Sequence, residues 1–327
     1  MILIISIEDD YSTNDVVDWL SLFNKKVLRI NNETSIDKIN IESKNNGFSI
    51  SFTYKNNEYS VNEFSHFWFR KGKLNFDNII DIISKNNSRD IDKGIYSHLL
   101  FEELKTIEQY FIYFLELKNK LGSYYQGDTN KLKSLAIAQN IGLTIPKSFV
   151  FSQKIKLIKA FNISNEFITK GIQGILSFGS DNLGFNNKTE LINKIDIDEM
   201  DNNFFPSFFQ KNIPKLYELR IFYLVGEFYS MAIFSQEDEQ TKIDFRNYNY
   251  ENPNRTVPYK LPLQIETRLD LFMKKMDLDT GSIDMIVTPD LEYIFLEVNP
   301  VGQYGMTSIP CNYYLDEKIA KYLANEK

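Results

Sequence analysis

The stretch IFLEVNPVGQYGM, residues 294–306, sets an acid and an amide two positions apart, Glu297 and Asn299. Alternate positions of a strand share a face, so two oxygen donors would leave the sheet side by side. Hard oxygen ligands suit Mg²⁺, which takes one or two carboxylates and completes its shell with water and phosphate. Upstream, GSIDMIV, residues 281–287, is a second apolar run, followed by Thr288, Pro289 and Asp290. Pro beside Asp signals a turn, and runs joined so closely predict an antiparallel hairpin. With a loop of two or four residues, Asp284 shares the face of Glu297 and Asn299. With three, it lies on the opposite face. In the first register two carboxylates stand together, and they repel unless a cation neutralises them.

Other residue types here could hold a polyphosphate. Lys170 ends the apolar run Phe167, Ile168, Thr169 and abuts a segment carrying Gly171, Gly174 and Gly179. Glycine lets backbone amides approach a phosphate without side-chain obstruction. The segment GIQGILSFG matches neither a Walker loop nor the dinucleotide fingerprint. Arg220 and Arg246 carry forked donors that suit carboxylate or phosphoryl oxygens.

Taken in chain order, these elements resemble the ATP-grasp superfamily. Asp284 followed by Glu297, Val298 and Asn299 resembles its metal-binding signature. Lys131, in a helical segment that exits through Gly142 to Pro146, resembles its first nucleotide-binding lysine. Lys170 resembles the second, and Gly171, Gly174 and Gly179 fall where the family has a phosphate-covering loop. Gln210, Lys211, Asn212 and Ile213 resemble the hinge whose backbone holds adenine. Glu218 and Arg220 resemble an acidic-x-Arg element, with Glu218 contacting ribose or orienting Arg220. Arg246, in a loop with Asp244, resembles the arginine that faces the acyl phosphate. The resemblance implies ATP and Mg²⁺ as cofactors, with Asp284, Glu297 and Asn299 as metal ligands and Arg220, Arg246 and Lys170 as catalytic residues.

A narrower likeness is to the maturases of graspetides, ribosomal peptides closed by ω-ester or ω-amide links. It rests on the block Phe67 to Gly72 and on the extended metal strand through Met306. The opening IISIEDDYSTNDVVDWL with SIPCNYYL, residues 308–315, is most similar to the grasp-with-spasm subgroup. This implies a precursor peptide, leader and core, as partner. A carboxylate side chain would be phosphorylated and joined to a Ser or Thr hydroxyl or a Lys amine, releasing ADP and phosphate. An amino-acid ligase acting on a protein or peptide terminus uses the same motifs. A non-catalytic nucleotide-binding regulator is the third reading. Superfamily members are often dimers, so a homodimer is expected.

The elements must place these groups. Ile2 to Ile7, Val27 to Ile30, Phe48 to Tyr54, Glu58 to Val61 and Phe67 to Phe69 read as strands. Asn14 to Phe23 and Ser97 to Leu117 carry apolar residues at helical spacing. Alternating strands and helices predict an open α/β domain over 1–121. Turn signals from Gly122 to Asp128 open a central domain, 122–205, with the phosphate-covering loop. The C-terminal domain, 206–327, has strands at Ser207 to Gln210, Leu219 to Val225, Glu227 to Phe234, Gly281 to Val287 and Ile294 to Val298, with a helix over Leu263 to Met276. The expected fold class is α/β (α+β), and the resemblance implies a three-domain ATP-grasp fold. The irregular stretch Gln236 to Pro258 is expected to face the peptide. Phe67 to Lys71 is expected beside the ATP site, with Arg70 a further candidate for substrate.

Bulk properties narrow the classes. The chain has 327 residues, 43% of them hydrophobic, and a net charge of −7, which is not the footprint of a nucleic-acid binder. No apolar run approaches the length of a membrane span, and Met1 to Ile7 is too short and too closely followed by acids for a signal peptide. The single cysteine, Cys311, fits a reducing cytosol and reads as a packed residue rather than a nucleophile. His66 and His98 cannot make a His-rich zinc site.

Overall fold

A computed structural model describes residues 1–45, 47–80, 93–127, 129–162, 166–173, 177–180, 183–186, 189–236, 238, 240–243, 245 and 249–326, with backbone alone for 93–97, 177–180 and 183–186. The chain forms two compact units, one of residues 1–127 with 314–327 and one of residues 128–313. Among the described residues no helix is long and apolar enough to cross a membrane.

In the first unit β1 (Ile2–Ser6), β2 (Val27–Asn31), β6 (His66–Phe69) and β7 (Asn119–Leu121) form a parallel sheet in the order β2-β1-β6-β7. β1 is buried at every position, as its unbroken apolar run requires of a strand covered on both faces. The runs read at Phe48 and Glu58 do not extend this sheet. They are β4 (Gly47–Tyr54) and β5 (Asn57–Ser60), which join β3 (Ile36–Lys44) in a separate antiparallel sheet. The turn between β4 and β5 sets Lys55 and Asn56 at positive φ, 49° and 62°, as a tight hairpin needs. Helix Tyr11–Leu22 packs against the terminal helix Leu315–Ala324. The Phe67, Trp68 and Phe69 block is buried in this unit, and the Arg70 Nε lies 3.1 Å from the Asp10 carboxylate, both side chains buried.

The second unit carries two larger sheets. β8 (Ser148–Gln153), β9 (Phe167–Thr169), β12 (Glu190–Ile192) and β13 (Asn203–Lys211) form an antiparallel sheet in the order β12-β9-β13-β8. Phe167, Ile192 and Phe209 pack with Leu157 and Ile197, from the helices Lys154–Phe161 and Lys194–Glu199. β10 (Ser177–Ser180) and β11 (Leu183–Asn186) make a small hairpin. β14 (Tyr217–Leu224), β15 (Glu227–Phe234), β16 (Arg255–Tyr259), β17 (Thr280–Val287) and β18 (Tyr293–Asn299) form a five-stranded antiparallel sheet in the order β16-β15-β14-β17-β18. β16 takes up the end of the irregular stretch Gln236 to Pro258. Its Pro258 is tolerated because β16 is an edge strand.

Candidate active site

The pleat sorts the five-stranded sheet into two chemically distinct faces. Leu219, Ile221, Ile283, Met285, Val287 and Phe295 are buried in a core with Leu269, Phe272 and Met273 of helix Leu263–Lys275 and Leu135 and Ala138 of helix Lys131–Asn140. The alternate residues carry the polar groups. Across β14 and β17, Glu218 stands opposite Ile286 and Arg220 opposite Asp284. Across β17 and β18, Asp284 stands opposite Glu297 and Ser282 opposite Asn299. Directly opposed residues share a face, so Arg220, Asp284 and Glu297 meet in one row.

The hairpin reaches this register by a route that turn counting misses. Val287 pairs with Tyr293, so the loop 288–292 holds an odd number of residues. Continued without interruption, that register would place Leu296 opposite Asp284 and turn Glu297 to the core. A β-bulge between the Met285–Phe295 and Asp284–Glu297 pairs inserts Leu296 and restores the alignment. Bulges re-aim side chains in this way beside functional sites.

Each carboxylate in the row is met by the protein's own cations. Arg220 donates from one Nη to both oxygens of Asp284, at 2.6 and 2.8 Å, with each side chain 8% exposed. Its other Nη reaches the Gln303 carbonyl at 3.5 Å. The Glu297 Oε2 lies 3.3 Å from the Lys131 Nζ and 3.8 Å from the Lys170 Nζ. Lys131 is the first residue of its helix, whose N-cap Asn130 accepts from the Lys133 amide. The Lys131 Nζ also donates to the Gly171 carbonyl at 3.0 Å. The Gly171 carbonyl thus holds the Lys131 ammonium.

Glu297, Asp284 and Lys170 line a cleft of about 550 Å³, open mouth included, in the second unit. Its apolar walls come from Ile168, Ile286, Leu296 and Phe245, and one end is the segment Gln210 to Ile213 with Pro146. Gln210 is buried and donates its amide to Ser148 at 3.0 Å. The Lys211 and Asn212 amides donate to the Lys147 and Glu166 carbonyls at 2.8 and 3.1 Å. Asn299 is exposed, its Oδ1 accepts from the Val301 amide at 3.1 Å, and it is not among the residues lining the cleft. Gly174, Arg246 and Asp244 lie outside the described residues.

The donor set fits a hard divalent cation. Among the described residues no group of three or more His, Cys, Asp and Glu gathers anywhere. Two carboxylates directly opposed across β17 and β18 suffice for an ion that takes its other ligands from water and phosphate. The buried Arg220 Nε has no partner among the described residues.

Two partners of Glu218, of which Lys215 lines the cleft, escaped the sequence reading. Lys215 pairs with Glu218 at 2.8 Å, the two side chains 6% and 7% exposed, and also donates to the Ile243 carbonyl at 3.0 Å. Ser235 donates to the same Glu218 Oε1 at 2.9 Å. The available signal was a Lys three residues before an acid at the start of an apolar strand. Cys311 is buried among Met231, Ile233 and Phe245, and that burial pushes its thiol up from the ordinary range.

No protein-family model and no curated protein matches the chain. Solved structures do. A RiPP-associated ATP-grasp ligase of Chryseobacterium gregarium, in complex with ADP and a leader and core peptide, is 25% identical with a TM-score of 0.81, covering 99% of this chain and 95% of that one. The macrocyclase MdnC of Microcystis aeruginosa, bound with precursor peptide MdnA, is 25% identical with a TM-score of 0.77 over 100% of both chains. The ATP-grasp ligase PsnB, complexed with a minimal precursor, Mg and ADP, is 13% identical with a TM-score of 0.72, covering 99% of this chain and 96% of that one, a likeness of fold. In fold and over its whole length this chain is similar to RiPP-associated ATP-grasp ligases, which supports its reading as an ATP-grasp maturase of graspetide type.

Proposed function

We propose that this ligase phosphorylates Asp or Glu side chains of a ribosomal precursor peptide and joins them to Ser or Thr hydroxyls, or to a Lys amine, as macrocyclic esters or amides. The observation that carries this reading is the row of Arg220, Asp284 and Glu297 faced by Lys131 and Lys170, which meets the cleft at Lys170, Asp284 and Glu297. Phosphoryl transfer is mostly positioning and charge neutralisation, and that row has the parts for both. Lys131 and Lys170 would neutralise ATP phosphates. Asp284 and Glu297, with Asn299 at the strand end, would hold Mg²⁺, which would supply charge neutralisation at the ATP phosphates. Arg220 and Arg246 would hold the acyl phosphate oxygens, and Gly171 and Gly174 would contribute backbone contacts to the phosphates.

The hinge of Gln210, Lys211, Asn212 and Ile213 would take the adenine. The Lys211 and Asn212 amides are already committed to protein carbonyls, so hinge carbonyls and Ile213 would read the base. After activation the substrate's nucleophile attacks the acyl phosphate carbon, the C–O bond to phosphate breaks, and phosphate carries away the electron pair. Leader and core would reach the site along 236–258. In this scheme the protein acts as a cytosolic homodimer.

The test is intact-mass spectrometry of a candidate precursor, rich in Thr or Ser and in Glu or Asp, after incubation with the protein, ATP and Mg²⁺. Loss of one water mass per link, with ADP and phosphate formed, is expected. Gain of amino-acid masses in a supplemented reaction would replace this reading with an amino-acid ligase. ATP binding without turnover of any such peptide would replace it with a regulator.

A further inference from the structure

Lys215 is costly to bury and has been given no role by the proposal above. A lysine ammonium leaves water only when paired and hydrogen-bonded. Here it donates at 2.8 Å to the Glu218 Oε1 and at 3.0 Å to the Ile243 carbonyl. Ser235 donates to that same oxygen at 2.9 Å. Two donors from different elements thus converge on one carboxylate oxygen and fix the orientation of the group. Lys215, Glu218, Ile243 and Phe245 all line the cleft, so one ammonium ties its floor to the wall that carries Phe245.

The register says what lies above that floor. Glu218 sits opposite Ile286, one step nearer the hinge than the Arg220–Asp284 pair. Two residues along a strand span about 7 Å. With a base at the hinge and phosphates at Lys131 and Lys170, a nucleotide's sugar lies over Glu218. An ionised carboxylate is acceptor-only, and a pair of sugar hydroxyls is a matching donor pair.

We propose that Lys215 is a positioning residue of this cleft, holding the Glu218 carboxylate where the sugar hydroxyls of a nucleotide meet it. The inference rests on the nucleotide reading given above.

Calorimetry with ADP and with 2′-deoxy-ADP tests it on the wild type, Lys215→Met, Glu218→Gln and the double variant. The wild type is expected to prefer ADP. Lys215→Met should lose about tenfold in ADP affinity, the scale of one charge-assisted hydrogen bond, and most of the preference for the 2′-hydroxyl. Because Lys215 acts through Glu218, the double variant should bind no worse than Glu218→Gln alone. The double variant removes both buried charges and carries the comparison if Lys215→Met fails to fold. Unchanged affinity and preference in Lys215→Met would overturn the assignment. So would losses that add in full in the double variant, or a wild type indifferent to the 2′-hydroxyl. A wild type that binds no ADP would overturn the nucleotide reading itself.

Discussion

Replacing Arg220 with Ala tests the charge row directly. Its guanidinium meets both oxygens of Asp284 at 2.6 and 2.8 Å, with both side chains 8% exposed. Removing one partner of a buried pair costs about 3–5 kcal/mol, because the remaining charge stays desolvated. In a unit of this size each kcal/mol moves the unfolding midpoint by about 2–4 °C, so Arg220→Ala should lower Tm by about 6–20 °C. Asp284 is also a proposed metal ligand, which adds a second expectation. A divalent cation brought in with ADP replaces the positive charge that the variant lacks. Saturating ligand at about a hundred times Kd stabilises a protein by about 2.7 kcal/mol, and the variant should gain more than the wild type from Mg²⁺ with ADP. Thermal unfolding of both proteins, with and without Mg²⁺ and ADP, reads both effects. A Tm loss below about 2 °C would refute the burial argument. Equal gains from Mg²⁺ and ADP in the two proteins would refute Asp284 as a ligand.

Because Glu297 faces Lys131 and Lys170, and Asp284 faces Arg220, Mn²⁺ alone should find no tight site, and ADP should create one by drawing the lysines away; electron paramagnetic resonance showing submillimolar Mn²⁺ binding without nucleotide would contradict this. A Cβ at Gly302 would lie 2.6 Å from the Ser282 Cβ, so Gly302→Ala should cost about 1–3 kcal/mol in denaturant unfolding, and Ser282→Gly in the same chain should recover most of it. Burial raises the Cys311 thiol pKa, so a disulfide reagent at pH 8 should react no faster than the protein opens; a stoichiometric burst would show the thiol exposed. Burial also raises the Glu108 carboxyl, against the Tyr124 hydroxyl that donates to it. A raised folded pKa gives stability that is present below the unfolded pKa and lost as pH rises through the folded one, so Glu108→Gln should raise Tm at pH 7, with the gain shrinking toward pH 4.

The strands of the second unit were legible where their residues alternate cleanly. Glu227 to Phe234 matches β15 at both ends, β17 differs from the sequence reading by one residue at its start and β18 by one at each end, and β14 starts two residues earlier and ends one earlier. Apolar residues on one face and chemistry on the other set that period. β3 was missed because Ile36, Ile39 and Ile41 are diluted by Asp, Lys and Asn, and β8 and β16 because Pro sits beside or within them. The meeting of Asp284 with Glu297 was readable only as one of two registers. A bulge decides between them, and no local composition marks Leu296 as the extra residue. Lys215 was invisible for a different reason. Its role depends on the Ile243 carbonyl and on Ser235, partners supplied by chain reversal and not by neighbouring sequence.

The terminal helix has a consequence for how the protein is made. Leu315, Ile319, Ala320 and Leu323 are buried in the first unit, where the helix packs against Tyr11–Leu22. Translation delivers residues 128–313 between those two helices. At about 5–20 residues per second that interval lasts on the order of 10–40 s. Through it, the nascent first unit waits with one side of its core uncovered, while the second unit emerges as an uninterrupted segment able to fold first. The order of synthesis therefore need not be the order of completion: residues 128–313 are all made before the first unit receives its last helix.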